Sequence, residues 1–135
     1  MQVYTYTISE DNASGGIFVN KRAVGTEYER KAADYLEKQG YEILHKNFRC
    51  RYGEIDLIGK SDGYLCFIEV KYRSGSHHGF PSEAVDNRKR KRIVRSALTY
   101  MYFNKLPEDT PCRFDIVEIL DNEFSVIKNA FEGIW

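Results

Sequence analysis

The chain has 135 residues, 42% hydrophobic and 14% aromatic, and its formal charge at pH 7 is zero, which suits one domain with a proper core. No stretch approaches the roughly 18 apolar residues of a membrane-spanning helix, and Met1 to Ser14 lacks the basic-then-apolar order of a signal peptide. Cys50, Cys66 and Cys112 are odd in number, widely spaced and without a CxxC pair, which argues against structural zinc or a disulfide framework and fits free thiols in a reducing cytoplasm, away from membranes.

Residues 1–20 mix polar alternation with "SEDNASGG" and read as an N-terminal extension ending in a flexible linker. That leaves 21–135 as a single domain. "GTEYERKAADYLEKQGYEIL" predicts a helix over 27–39. Thr26 is its N-cap and Glu29 completes a capping box. Ala32, Ala33 and Leu36, with Tyr28 or Tyr35, form the buried stripe, and Gly40 stands just past the end. "YEILHKNFR", 41–49, reads as a strand, followed by strands over 53–59 and 64–73. "KSDG", 60–63, is the turn between them. "SGSHHGFPS", 74–82, reads as a loop over a site. "DNRKRKRIVRSALTYMYFNKL" predicts a long helix capped by Asp86 or Asn87 and stopped by Leu106-Pro107. Its apolar side is Ile93, Val94, Ala97, Leu98 and Met101. "CRFDIVEIL" and "EFSVIKNAF" are closing strands joined by "DN". The order α-β-β-β-α-β-β predicts an α/β fold, a central mixed sheet flanked by helices.

The hairpin sets acids inside apolar runs. Asp56 interrupts "EIDLI" and Glu69 interrupts "FIEV", with Lys71 two residues further on. Acids are rarely buried without a partner. With a four-residue turn, 59 pairs with 64, 56 faces 67 and 54 faces 69. Glu54, Asp56 and Ile58 then share one face, and Asp56 and Glu69 become diagonal neighbours roughly 7–8 Å apart at the backbone. Two carboxylates that close suit one hard divalent cation, magnesium or manganese, which takes a few carboxylates, waters and phosphate oxygens. Lys71 points to the same face and can steady charge growing on a phosphate. Glu29, on the first helix, can approach the same place. E-x-K alone is a common pattern, equally suited to cross-strand ion pairs on an exposed face.

Residues 21–106 carry 18 Lys and Arg against 11 Asp and Glu, so the neutral total hides a basic face. "RKRKRIVR", 88–95, holds six of these cations in eight positions. It follows the loop that leaves the acidic strand and reads as a contact for phosphate backbone. Lys89 is expected to face the site, with Arg88, Lys91, Arg92 and Arg95 peripheral and Arg73 at the strand end. No base-reading motif is present, so binding should follow shape rather than sequence. His77 and His78 read as a solvated loop pair and His45 as packed. Tyr72, Phe80, Tyr100 and Tyr102 read as packing residues, with base stacking as their other use.

"GEIDLI" followed by "FIEVKYR" resembles the YraN-like family of small bacterial proteins, within the PD-(D/E)XK nuclease superfamily. The match extends through Gly25, Glu29, Ala32, Tyr35 and Leu36, through Gly40-Tyr41, Ile43-Leu44, Asn47 and Arg49, and on to Lys89, Arg92, Arg113-Phe114-Asp115 and Asn129-Ala130-Phe131. It covers roughly 22–132. The resemblance implies a restriction-endonuclease-like core close to the Holliday-junction resolvases. It implies a metal held by Asp56, Glu69 and the backbone carbonyl of Val70, with Lys71 as catalytic lysine and Glu29 as an additional acid. It points to nucleic acid, DNA above all, as partner, and to a homodimer on a two-fold symmetric substrate. Two readings follow: a Mg²⁺- or Mn²⁺-dependent nuclease acting on DNA, branched or damaged DNA included, or a nucleic-acid-binding module with that fold acting in a repair or recombination complex.

Overall fold

The structure is a computed structural model describing residues 21–73 and 85–133. The extension 1–20 and the loop 74–82, with His77, His78 and Phe80, lie outside the described residues. Seven elements follow in the expected order: α1 (Lys21–Lys38), β1 (Glu42–Cys50), β2 (Gly53–Ser61), β3 (Tyr64–Arg73), α2 (Asn87–Phe103), β4 (Cys112–Leu120) and β5 (Glu123–Phe131). The strands form one mixed sheet in the order β1-β2-β3-β4-β5. All neighbours are antiparallel except β3 and β4, which run parallel because α2 carries the chain back between them. This α/β architecture is compatible with a restriction-endonuclease-like core. Among the described residues no helix is long and apolar enough to cross a membrane.

Alternation along β3 builds a core on each face. Leu65 and Phe67 join Ile93, Val94, Ala97 and Met101 beneath α2. Cys66, Ile68 and Val70 join Ala32, Ala33 and Leu36 beneath α1. Leu98 departs from the expected stripe: it is 44% exposed, and Ser96 is buried instead. Tyr28 stacks on Tyr72 at 4.5 Å, and Tyr100 meets Phe48 and Phe67 edge-on. Tyr72 and Tyr100 therefore pack, whereas Tyr102 is 78% exposed.

Local chemistry explains the boundaries. α1 begins at Lys21, so Thr26 lies inside the helix and the expected capping box is not its start. The helix ends as expected: Gly40 has φ 95°, and the N–H of Tyr41 returns to the Leu36 carbonyl at 3.0 Å. Asp86 caps α2, accepting from the Lys89 N–H at 2.9 Å. That helix stops at Phe103, with Asn104 as C-cap, before Leu106-Pro107 is reached.

The hairpin turn is shorter than the sequence suggests. Ser61 pairs with Tyr64, leaving only Asp62 and Gly63, with φ 56° and 82°, in the turn. Both positive angles suit a tight hairpin that follows the strand twist. β2 is thereby shifted two residues along β3, and Leu57 faces Ile68. Gly59 is fixed by close approach: an added Cβ would lie 2.7 Å from the Glu42 carbonyl oxygen. Gly59→Ala is expected to cost about 2 kcal/mol in urea unfolding, because backbone must move to admit the methyl.

A buried polar cluster ties β4 to three other segments. Asp115 accepts from the Tyr41 hydroxyl at 2.7 Å, from Arg113 Nε at 2.9 Å and from the Asn129 N–H at 2.9 Å. Arg113 continues to Asp62 in the hairpin turn at 3.3 Å. The Asn129 bond falls where β5 leaves regular register between Phe114 and Ile116, and Asn129 itself has φ 56°. Asp115 thus supplies an acceptor that the bulged ladder cannot.

Candidate active site

Pairing of β2 with β3 runs from the turn to Leu57–Ile68. Asp56 and Glu69 are the next residue on each strand, so they sit level rather than diagonal. At this point β2 also loses its alternation. Ile55 and Ile58 both pack beneath α2, while Leu57 packs beneath α1. The expectation that Glu54, Asp56 and Ile58 share one face fails at Asp56. Asn47, the β1 residue between the partners of Leu57 and Ile55, has φ 62° at the same level.

Asp56 is fully buried, and its Oδ2 accepts from the Val70 N–H at 2.8 Å. The side chain thus replaces the ladder where the strands part, and its carboxylate lies beside the Glu69–Val70 peptide. The other oxygen, Oδ1, is buried without a hydrogen-bond donor. Glu29, buried on α1, brings its carboxyl against Asp56. Burial first, then the Asp56 charge, pushes Glu29 up to about 8. Burial pushes Asp56 up as well, and the Val70 N–H opposes it. Glu54 adds negative charge toward both, while Arg49 holds its carboxylate at 3.2 Å.

Glu69 is answered from the other helix. Lys89 Nζ lies 2.8 Å from Glu69 Oε2, and both side chains are largely buried. Burial, then Arg92, pulls the Lys89 pKa below the ordinary lysine range. The 2.8 Å contact works against that shift: an ionised Glu69 keeps Lys89 charged. Lys71 is half-buried two residues beyond Glu69; burial, then Arg73, lowers its pKa, and Glu118 opposes them. Arg73 is engaged by Glu118 at 3.4 Å in the parallel pair. Arg88, Lys91, Arg92 and Arg95 are all exposed along α2, so Lys89 alone of this group turns inward, as its sequence position suggested.

The structure therefore brings Glu29 to Asp56 and Lys89 to Glu69, on the two sides of the place where β2 and β3 separate. Among the described residues no three His, Cys, Asp or Glu side chains close into a metal cage. The donor set still suits a hard cation. It offers a buried carboxylate oxygen without a donor and a second carboxylate one strand away.

Residues 28–119 match the family described as uncharacterised protein family UPF0102. A UPF0102 protein of Lachnoclostridium phytofermentans is 51% identical over 115 residues, spanning 85% of this chain and 98% of that protein. One from Caldicellulosiruptor saccharolyticus is 41% identical over 119 residues, spanning 84% and 100%. One from Acetivibrio thermocellus is 43% identical over 130 residues, spanning 89% and 99%. The matched segment contains Glu29, Asp56, Glu69, Lys71 and Lys89, and the chain belongs to the UPF0102 family.

Proposed function

We propose that the protein is a Mg²⁺- or Mn²⁺-dependent nuclease that hydrolyses phosphodiester bonds in DNA, branched or damaged DNA included. The observation that carries this reading is Asp56: a fully buried carboxylate, one oxygen without a donor, set against a second buried acid. Fold stability alone gives no reason for such an arrangement. A divalent cation held by Asp56, Glu69 and the Val70 carbonyl would supply the Lewis acidity that polarises a phosphoryl oxygen and activates water. Lys71, half-buried beside Glu69, offers a cation to the charge that grows on the phosphate. Glu29 holds a proton at Asp56 until that charge is balanced. Arg88, Lys91, Arg92 and Arg95 meet the phosphate backbone along α2.

One observation favours the second reading, a binding module with this fold. Lys89 already balances Glu69 at 2.8 Å, which weakens the field a metal would meet. A cleavage assay on labelled single-stranded, duplex, flap and four-way-junction DNA, with Mg²⁺ or Mn²⁺ against EDTA, separates the two. Metal-dependent products are expected, reduced about a hundredfold or more in Glu69→Ala and Lys71→Met. Wild-type rates in both variants would exclude this site. Steep salt-dependent binding without products would favour the module.

A further inference from the structure

The turn between β1 and β2 adds Arg51 and Tyr52 to two arginines of α2, Arg92 and Arg95. The Arg51 guanidinium lies 5.2 Å from the Tyr52 ring centroid and that of Arg95 lies 5.8 Å away. Arg92 packs against Gly53, where an added Cβ would meet its Cβ at 3.6 Å. Among the described residues, none of these three arginines makes an ion pair. Two guanidiniums over one ring, with a third arginine on the adjoining glycine, form a basic surface at this turn. The turn is also anchored. Cys50 Sγ donates to Ser96 Oγ at 3.4 Å, and Gly53 sits on α2 with φ 146°. Tyr52 remains 36% exposed. The position ties it to the candidate site: Glu54 follows Gly53, and its charge reaches both Glu29 and Asp56.

We infer that this turn is a nucleic-acid contact in which Tyr52 stacks on an unpaired base while Arg51, Arg92 and Arg95 hold the adjoining phosphates. The inference rests on the nucleic-acid reading above and gives it a substrate class: strands with unpaired bases beside the Asp56 site. A ring accepts any base face, and guanidinium planes both stack and pair with phosphate, so the contact is tolerant of sequence. In a closed duplex the bases are stacked on one another, and Tyr52 gains nothing from them.

The test is fluorescence anisotropy with the full chain in EDTA, where cleavage plays no part. The probes are a labelled single strand and its matched blunt duplex, each at low and moderate salt. Tyr52→Ala is expected to weaken single-strand binding about fivefold or more and duplex binding less than about twofold. Tyr52→Trp should restore it. Arg51→Ala with Arg95→Ala should weaken both probes and reduce the salt slope by about 1 to 2. Both sites are exposed, and unchanged thermal melting confirms the fold in each variant. Wild-type binding of both probes by Tyr52→Ala would overturn the stacking contact, and an unchanged salt slope would overturn the phosphate contact. Displacement by polyglutamate as effective as by single-stranded DNA would assign the surface to acidic protein instead. A wild-type chain that binds neither probe at low salt would overturn this inference together with the nuclease reading. Binding that depends on Tyr52 without any cleavage would leave this inference standing alone.

Discussion

Asp56→Asn is expected to abolish metal-dependent cleavage, by about a thousandfold or more, and at the same time to stabilise the metal-free fold above neutral pH. The amide oxygen can still accept from the Val70 N–H, so the contact between the strands survives. The lost charge is the one that burial makes costly and that raises Glu29 in turn. Both acids have folded pKa values raised above their ordinary values near 4, Glu29 to about 8. The folded state therefore binds more protons than the unfolded one between these limits. Its stability is complete below about pH 4 and declines as pH rises toward about 8. With solvent screening allowed for, the decline is on the order of 2 kcal/mol. Thermal melts at pH 5 and pH 8, with and without Mg²⁺, measure it. The wild type should lose stability at pH 8 and regain it with Mg²⁺, whereas Asp56→Asn should lose less, because only the burial of Glu29 remains, and should gain nothing from Mg²⁺. Equal melting of the wild type at both pH values would refute the burial cost assigned to these acids.

Asp115→Ala is expected to be among the most destabilising single substitutions in the chain, at about 3–5 kcal/mol. It strips the acceptor from buried Arg113, from the buried Tyr41 hydroxyl and from the Asn129 N–H. What remains is a buried guanidinium whose other carboxylate, Asp62, is well exposed. At a few degrees per kcal/mol, the melting temperature should fall roughly 10–15 °C. Tyr41→Phe removes one bond of the set and should cost about 1–2 kcal/mol. Denaturant titrations at constant slope would check both, and a loss below about 1 kcal/mol in Asp115→Ala would show that the cluster contributes little.

The order of elements could be read from the chain because turn residues and apolar periodicity agree along its length. β4 and β5 in particular are bounded by "DN", and both turn residues take positive φ. The hairpin register was harder. Lys60 and Ser61 are polar and look like turn, yet they remain in the ladder, and Asp62-Gly63 alone reverses the chain. The error was two residues, so each side chain kept its face in the paired region, and only the relative level of Asp56 and Glu69 changed. The break in alternation at Asp56 leaves no local mark, because it depends on Glu29 and Val70 from other elements. Lys89 was expected to face the acids, and its ammonium meets Glu69 at 2.8 Å. The Tyr41–Asp115 bond joins residues 74 positions apart, and no local pattern announces it. Tyr52 was hidden for a similar reason: its arginine neighbours at 92 and 95 arrive only when α2 folds over the turn.

Both outer strands of the sheet are interrupted. On β1, register slips between Ile43 and His45, and Asn47 turns left-handed; on β5 the slip opposite Phe114–Ile116 surrounds left-handed Asn129. A neighbouring chain that tried to add a strand at either border would find donors and acceptors out of step within a few residues. The sheet is thus closed to growth by hydrogen bonding, which protects a small, tyrosine-rich protein from runaway association.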